Sequence, residues 1–347
     1  MMRMTVLASG SKGNSTVISS SRTRVLVDAG LSCRELLKRM SIAGEDPAQL
    51  DAILITHEHQ DHVAGLSVLA RRLRIPVFFT EPTHRAWVRM LTPRTTMTYA
   101  KWLDQVQREK EARAAAVATT APGSELATQL AEEAGVICGI AAEAADRCDN
   151  VMPELPVDPE LDELCGAESP SAAAQKPDPA YLPAVEYFHS GKQFSIGDIE
   201  ITPFTIPHDA ADPCGFVFEA EGIRMALATD LGYMPPNVKA ALKRMDVMLL
   251  ESNHDLEMLR DGPYPWSVKQ RVLSRVGHLS NHATAEFLQK DYDGGATWIV
   301  LGHLSESNNV PELARMAAEQ ALGNRPSLLG NRVLLAEQGM PLEPITL

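Results

Sequence analysis

The heptapeptide Thr56-His57-Glu58-His59-Gln60-Asp61-His62 constrains this chain more than any other stretch. It follows directly on a short apolar run ending at Ile55, and three of the chain's 10 histidines fall within six positions of it. In extended or turning backbone His57 and His59 point the same way, while Asp61 and His62 follow where the chain bends into a helix. One short loop thus offers three imidazoles and a carboxylate, which is a pair of half-built metal sites. The five cysteines (Cys33, Cys138, Cys148, Cys165, Cys214) are scattered and never in a CxxC spacing. Neither a disulfide framework nor a thiolate zinc site is indicated, so any metal must use His and carboxylate ligands.

Around this loop the pattern repeats in kind. Short β-like runs at Thr5–Ala8, Thr16–Ser19, Arg24–Asp28, Ala52–Thr56 and Val77–Thr80 are separated by turns and by helix-like segments at Ser32–Ile42, Val63–Leu73 and Pro82–Met90. A second series follows at Gln193–Ile196, Ile199–Phe204, Phe216–Glu219, Arg224–Thr229, Val247–Glu251 and Thr297–Leu301, with helices between the later strands. Strands lead and then alternate with helices, once in each half. That predicts an α+β fold, a four-layer αββα sandwich of two β-rich halves.

The two halves are separated by a segment of different composition. Residues 104–180 hold 18 Ala, 16 Asp or Glu and 5 Lys or Arg, a net charge of −11 out of −13 for all 347 residues. Leu103–Ala118 and Ser124–Ala145 favour helix, Pro122-Gly123 breaks the run between them, and seven prolines lie between Pro153 and Pro183. We read 101–183 as an acidic, Ala-rich insertion, helical and then Pro-rich, in a single domain spanning 1–347. The remainder carries only −2, so the overall acidity does not exclude a polyanionic partner, although long-range steering by a basic surface is missing. No run of 18 apolar residues occurs, and Met1-Met2-Arg3-Met4 leads into a strand-like run instead of a signal-peptide core. A cytoplasmic protein without membrane insertion is expected.

The histidine loop after a strand resembles the signature of the metallo-β-lactamase superfamily, His-x-His-x-Asp-His. The resemblance implies four further motifs, and each has a counterpart at a strand end, in order: Asp28 in Val27-Asp28-Ala29-Gly30, His208 in Pro207-His208-Asp209, Asp230 in Thr229-Asp230-Leu231-Gly232, and His303 in Leu301-Gly302-His303. It implies that His57, His59 and His208 bind one metal, that Asp61, His62 and His303 bind a second, and that Asp230 bridges them, with Asp28 orienting a ligand from behind. Imidazoles and carboxylates form N/O sites suited to Zn²⁺, Mn²⁺ or Fe²⁺. Two such ions can hold a bridging hydroxide as nucleophile, with Asp61 among the residues on which catalysis depends.

Within the superfamily the chain looks like the bacterial YycJ/WalJ-type proteins, similar to the phosphodiesterase branch that includes tRNase Z. The residues that carry this are Ser9-Gly10-Ser11-Lys12-Gly13-Asn14-Ser15, Gly277-His278-Leu279-Ser280-Asn281-His282 and Gly302 to Asn309, over roughly 1–100 and 184–330. In that branch a histidine at the position of His278 protonates the leaving oxygen, and Glu251 can hold it. Without that role, His278 would only precede a helix capped by Ser280 or Asn281. Ser9, Ser11, Asn14, Ser305, Asn308 and Asn309 are small polar groups on loops expected near the metals and are candidate phosphate contacts. Arg71-Arg72-Leu73-Arg74 could track a nucleic-acid backbone, and a solvated helix face explains it as well.

The resemblance implies a metal-dependent phosphodiesterase, a 5′→3′ exonuclease acting on DNA ahead of RNA. An RNA-processing nuclease, a hydrolase of small esters or lactones, and a regulatory partner of a cell-wall two-component system are the competing expectations.

Overall fold

The computed structural model describes residues 1–92, 107–108, 178–323 and 330–347. The expected helices at Leu103–Ala118 and Ser124–Ala145, and the Pro-rich stretch as far as residue 177, lie outside the described residues apart from 107–108. Among the described residues fourteen strands form two sheets. β1 (Arg3–Ala8), β2 (Ser15–Ser19), β3 (Arg24–Val27), β4 (Ala52–Leu54), β5 (Val77–Phe79) and β6 (Val185–Tyr187) lie side by side in chain order, with β14 (Ile345–Thr346) on the far edge of β1. The second sheet runs β13 (Arg332–Leu335), β12 (Trp298–Gly302), β11 (Val247–Glu251), β10 (Ile223–Ala228), β9 (Cys214–Ala220), β8 (Ile199–Thr205), β7 (Phe194–Ile196). Both sheets are antiparallel where hairpins connect the strands and parallel from β3 to β6 and from β10 to β13, where helices cross over.

Three layers of apolar side chains make this a four-layer αββα sandwich. Met4, Ile18, Val27 and Leu54 of the first sheet meet Ile201, Phe216, Leu227 and Val300 of the second. On the outer face of the first sheet Leu26 and Ile53 receive Leu36 and Met40 from the helix Cys33–Ile42 and Leu66 and Leu69 from the helix Leu66–Leu73. On the outer face of the second, Met248, Leu250 and Ile299 receive Phe287 and Leu288 from the helix Asn281–Lys290 and Ala314 and Ala318 from the helix Pro311–Gly323. The central strands β10, β11 and β12 are covered on both faces and read as continuous apolar runs, whereas β8 alternates Ile199, Ile201 and Pro203 inward with Glu200 and Thr202 outward.

Several boundaries differ from the sequence-based expectation. Val63–Leu73 is two helices, Gln60–Val63 and Leu66–Leu73, because Gly65 passes so close to Leu31 that a Cβ would lie 2.1 Å from its carbonyl oxygen. Ala180 and Leu182, placed by composition in the insertion, pack on the outer core of the first sheet, and Val77 N–H donates to Ala184 O as the chain enters β6. β6, β13 and β14 are short edge or near-edge strands with no strong apolar pattern. Both parallel runs aim their carboxyl ends at the same edge of the sandwich, which is where ligand sites form in sheets of this kind.

Candidate metal centre

Asp28 follows β3, the histidine loop follows β4, and His208, Asp230, Glu251 and His303 end or follow β8, β10, β11 and β12. The chain turns sharply at three of these strand ends: Asp28, Asp230 and His303 have φ of 61°, 63° and 54°, in the left-handed region that few non-glycine residues enter. Such strain persists where surrounding bonds over-determine it. Asp28 N–H donates to Leu54 O at 2.9 Å, His303 N–H to Ser9 Oγ at 2.8 Å, and Leu231 N–H to Glu251 Oε2 at 2.5 Å. The strained turns swing these side chains over the edge of the sandwich, toward one another.

The seven residues expected as ligands converge there. His57 Nε2 and His208 Nε2 lie 3.1 and 3.2 Å from His59 Nδ1. Tetrahedral nitrogen ligands at about 2.0–2.1 Å from a zinc ion are roughly 3.3 Å apart, so these three nitrogens are spaced as ligands to one ion. Asp61 Oδ2 is 3.6 Å from His62 Nε2 and 3.5 Å from His303 Nε2, which gives a second set. Asp230 reaches both: Oδ1 is 3.8 Å from His208 Nε2 and 3.5 Å from His303 Nε2, and Oδ2 is 3.3 Å from His62 Nε2. Among the described residues Asp230 Oδ2 and His303 Nε2 are buried without a hydrogen-bond partner, a costly state for polar atoms unless something else binds them. Both sets fit a divalent cation in donor chemistry and spacing.

Four of the five imidazoles, His59 excepted, are held at the other nitrogen. His62 Nδ1 lies 2.8 Å from Asp28 Oδ2, His208 Nδ1 donates to Gly277 O at 3.1 Å, and His303 Nδ1 is 3.0 Å from Glu251 Oε1. Thr56 Oγ1 lies 3.0 Å from His57 Nδ1 and 3.2 Å from His62 Nδ1 while donating to Asp28 Oδ2 at 2.8 Å. These bonds fix ring orientation and tautomer, as partners of metal-binding histidines do. Burial pulls His57 well below the usual imidazole range, with positive neighbours adding to it, and it pulls His208 down too. Burial works the same way on His62 and His303, but the carboxylates of Asp230, Asp61, Asp28 and Glu251 override it and raise both well above that range. Asp230 is buried, which favours its neutral form, yet His303 and His62 hold it well below the usual carboxylate range.

Beside the cluster His278 Nδ1 lies 2.8 Å from Glu251 Oε1 and 3.8 Å from Asp230 Oδ1. Its ring centroid is 5.1 Å from that of His303 and 5.2 Å from that of His208. Glu251 is fully buried and serves three groups, His278, His303 and the Leu231 amide. Ser280 caps the following helix by accepting from Ala283 N–H, which leaves the His278 ring to Glu251.

The small polar residues expected to meet a phosphate are mostly engaged inside the protein. Ser9 accepts from the His303 amide. Asn14 Nδ2 lies 3.3 Å from Asp61 Oδ2 and 3.1 Å from His62 Nε2. Ser305 accepts from Asn308 N–H, and Asn309 Nδ2 donates to Ser252 O, Asn253 O and Asn281 Oδ1. Ser11 is exposed. Among the histidines assigned no role, His84 meets Tyr187 Oη at 2.8 Å and His189 is exposed, while burial pulls His254 down to about 4. Sequence reasoning missed Thr56, Gly277 and Asn253, whose Nδ2 donates to His303 O at 2.8 Å, as supports; the hydroxyl directly before the histidine motif was the available signal for the first.

Known proteins resemble this chain over most of its length. The family model of the metallo-beta-lactamase superfamily matches residues 8–119, and that of the beta-lactamase superfamily domain matches 154–300. The exodeoxyribonuclease WalJ of Streptococcus pneumoniae is 31% identical over 314 residues, covering 90% of this chain and 86% of that protein. The exodeoxyribonuclease YycJ of Bacillus anthracis is 30% identical over 321 residues, covering 92% and 89%. Among solved structures, the metallo-beta-lactamase fold protein YhfI from Bacillus subtilis superposes with a TM-score of 0.55 at 13% identity, over 99% of this chain and 100% of that one. Zn²⁺-bound PqqB from Methylobacterium extorquens gives 0.53 at 15% identity, over 98% and 99%.

Proposed function

The chain belongs to the metallo-β-lactamase superfamily, and from that premise we propose that it is a dinuclear metal-dependent phosphodiesterase, a 5′→3′ exonuclease on DNA. The observation that carries the choice of reaction is the Glu251–His278 pair at 2.8 Å beside the ligand cluster. An alkoxide is a poor leaving group and needs a proton, and a positioned histidine supplies one. The leaving group of a lactone or lactam needs a proton as well, so the choice of a phosphodiester rests also on the likeness to the two exodeoxyribonucleases.

His57, His59 and His208 would hold one cation, Asp61, His62 and His303 the other, with Asp230 shared. Bound there, two divalent cations such as zinc, manganese or iron supply Lewis acidity toward the phosphate and an activated water. Thr56 and Asp28 keep the rings of His57 and His62 turned to the centre. Glu251 takes Nδ1 of His278, so Nε2 is the nitrogen left to face substrate and to give its proton to the departing oxygen. The same carboxylate stabilises the charged imidazolium before transfer.

The test is cleavage of end-labelled duplex and single-stranded DNA and RNA by metal-depleted protein to which Mn²⁺ or Zn²⁺ is restored. Nucleotides should be released from the 5′ end of DNA, with Asp61→Ala inactive and His278→Ala about 10²–10⁴-fold slower. No cleavage of any polynucleotide by folded, metal-loaded protein would overturn the reading, and faster cleavage of RNA would move the substrate.

A further inference from the structure

The helix Trp266–Val272 has no buried residue. Trp266 is 68% exposed, Leu273 51% and Val276 43%, so its apolar side chains are offered to solvent. A helix this short has little stability of its own and normally owes it to packing, so such a face calls for something that covers it. Its charge indicates what. Residues 262–278 contain Lys269, Arg271 and Arg275 and no Asp or Glu, in a chain of net charge −13.

The segment is joined to the candidate centre at three points. Arg271 Nε donates to Asp209 Oδ2 at 2.6 Å, and Asp209 Oδ1 lies 3.4 Å from His208 Nε2. Asp209 N–H donates to Val276 O at 3.1 Å, and Gly277 O accepts from His208 Nδ1. The segment ends in His278 itself. Leu273 and His278 also line a neighbouring cavity of about 540 Å³, large enough for a nucleotide, whose wall includes Lys239, Lys290, Glu286 and Asp291 and not Trp266 or Arg271. Exposed aromatic, cations without carboxylates and continuity with the reacting centre are the elements by which proteins hold a single nucleic-acid strand: bases stack and phosphates pair with Arg or Lys.

We propose that residues 262–278 are the platform on which the strand being digested lies, with a base stacked on Trp266 and a backbone phosphate at Arg271. The proposal rests on the phosphodiesterase reading above. Asp209 then acts as a positioning residue, holding the Arg271 guanidinium beside the centre.

The test uses the full chain with metal restored. Trp266→Ala should raise KM for a single-stranded oligonucleotide about tenfold while kcat changes little, and should lower the ratio of oligonucleotide to bis(p-nitrophenyl) phosphate turnover correspondingly. Arg271→Gln should also flatten the salt dependence of binding, by about one unit of log–log slope. In the Asp61→Ala background an oligonucleotide should quench fluorescence, and Trp266→Phe should remove that quenching. Unchanged KM together with quenching that survives Trp266→Phe would overturn the platform and leave the face to a protein segment. If the unsubstituted protein hydrolyses the small diester but no polynucleotide, the function proposed above fails instead.

Discussion

Thr56 shows how one hydroxyl organises the centre from behind. Its Oγ1 donates to Asp28, lies within 3.2 Å of ring nitrogens of two histidines, and is 3% exposed. Its amide donates to Asp28 Oδ1 at 2.9 Å. Thr56→Val keeps the shape and removes the hydroxyl, leaving Asp28 and both rings short of a partner. Metal affinity is expected to fall about 10–100-fold, measured by competition with a chromogenic chelator; equal affinity would show that the rings are held by packing alone. The candidate ligands themselves are legible in the sequence, because metal chemistry restricts residue type and strand-end loops restrict spacing. The supports are not, since a Thr, Asn or Gly acquires its role only when distant segments meet. Asn14 is the clearest instance: a polar residue in a Gly/Ser loop reads as a phosphate contact, yet its amide faces Asp61 and His62.

At the scale of elements, the two sheets are fastened at the end opposite the ligands by the turn after β7. Gly197, at φ 57°, packs where a Cβ would come within 2.0 Å of Thr23 Oγ1. It presents Asp198 to the turn between β2 and β3, where Thr23 Oγ1 donates at 2.6 Å, Ser20 Oγ at 2.7 Å and Arg22 Nε at 3.3 Å. The Thr23 hydroxyl first, and then the Ser20 hydroxyl, hold this carboxyl down to about 2. A depressed carboxyl stabilises the fold fully above its ordinary value near 4 and loses that contribution as pH falls toward 2. Asp198→Ala is expected to cost about 1–2 kcal/mol in urea unfolding at pH 7 and almost nothing at pH 2; an equal loss at both would refute the charged clamp. No periodicity announces such a turn-to-turn contact. The paired strand-rich halves are readable because β10, β11 and β12 are long apolar runs. β6, β13 and β14 escape notice because two to four residues at or near a sheet edge carry too little pattern.

For the whole molecule the ligand set has a mechanical consequence. His57, His59, Asp61 and His62 hang from the first sheet, and His208, Asp230 and His303 from the second, so each proposed cation would tie the two sheets together at their open edge. Without cations that edge confines Asp230 Oδ2 and His303 Nε2 with no hydrogen bond among the described residues, and sets imidazoles of raised and lowered basicity against one another. The sheets' apolar interface is extensive, so the fold should persist when metal is removed, but less stably. A ligand that binds only the native state stabilises it by about 2.7 kcal/mol at a hundredfold excess over Kd. For a domain of this size that corresponds to a fall in Tm of about 4–5 °C per cation on chelation, restored by Zn²⁺ or Mn²⁺. Amide exchange should rise in the loops after β4, β10 and β12 and stay unchanged in the turns around Thr23 and Asp198, since the loss of cross-linking is local. A chelated protein with the same Tm and exchange as the loaded one would mean that the two sheets are held by their apolar core alone.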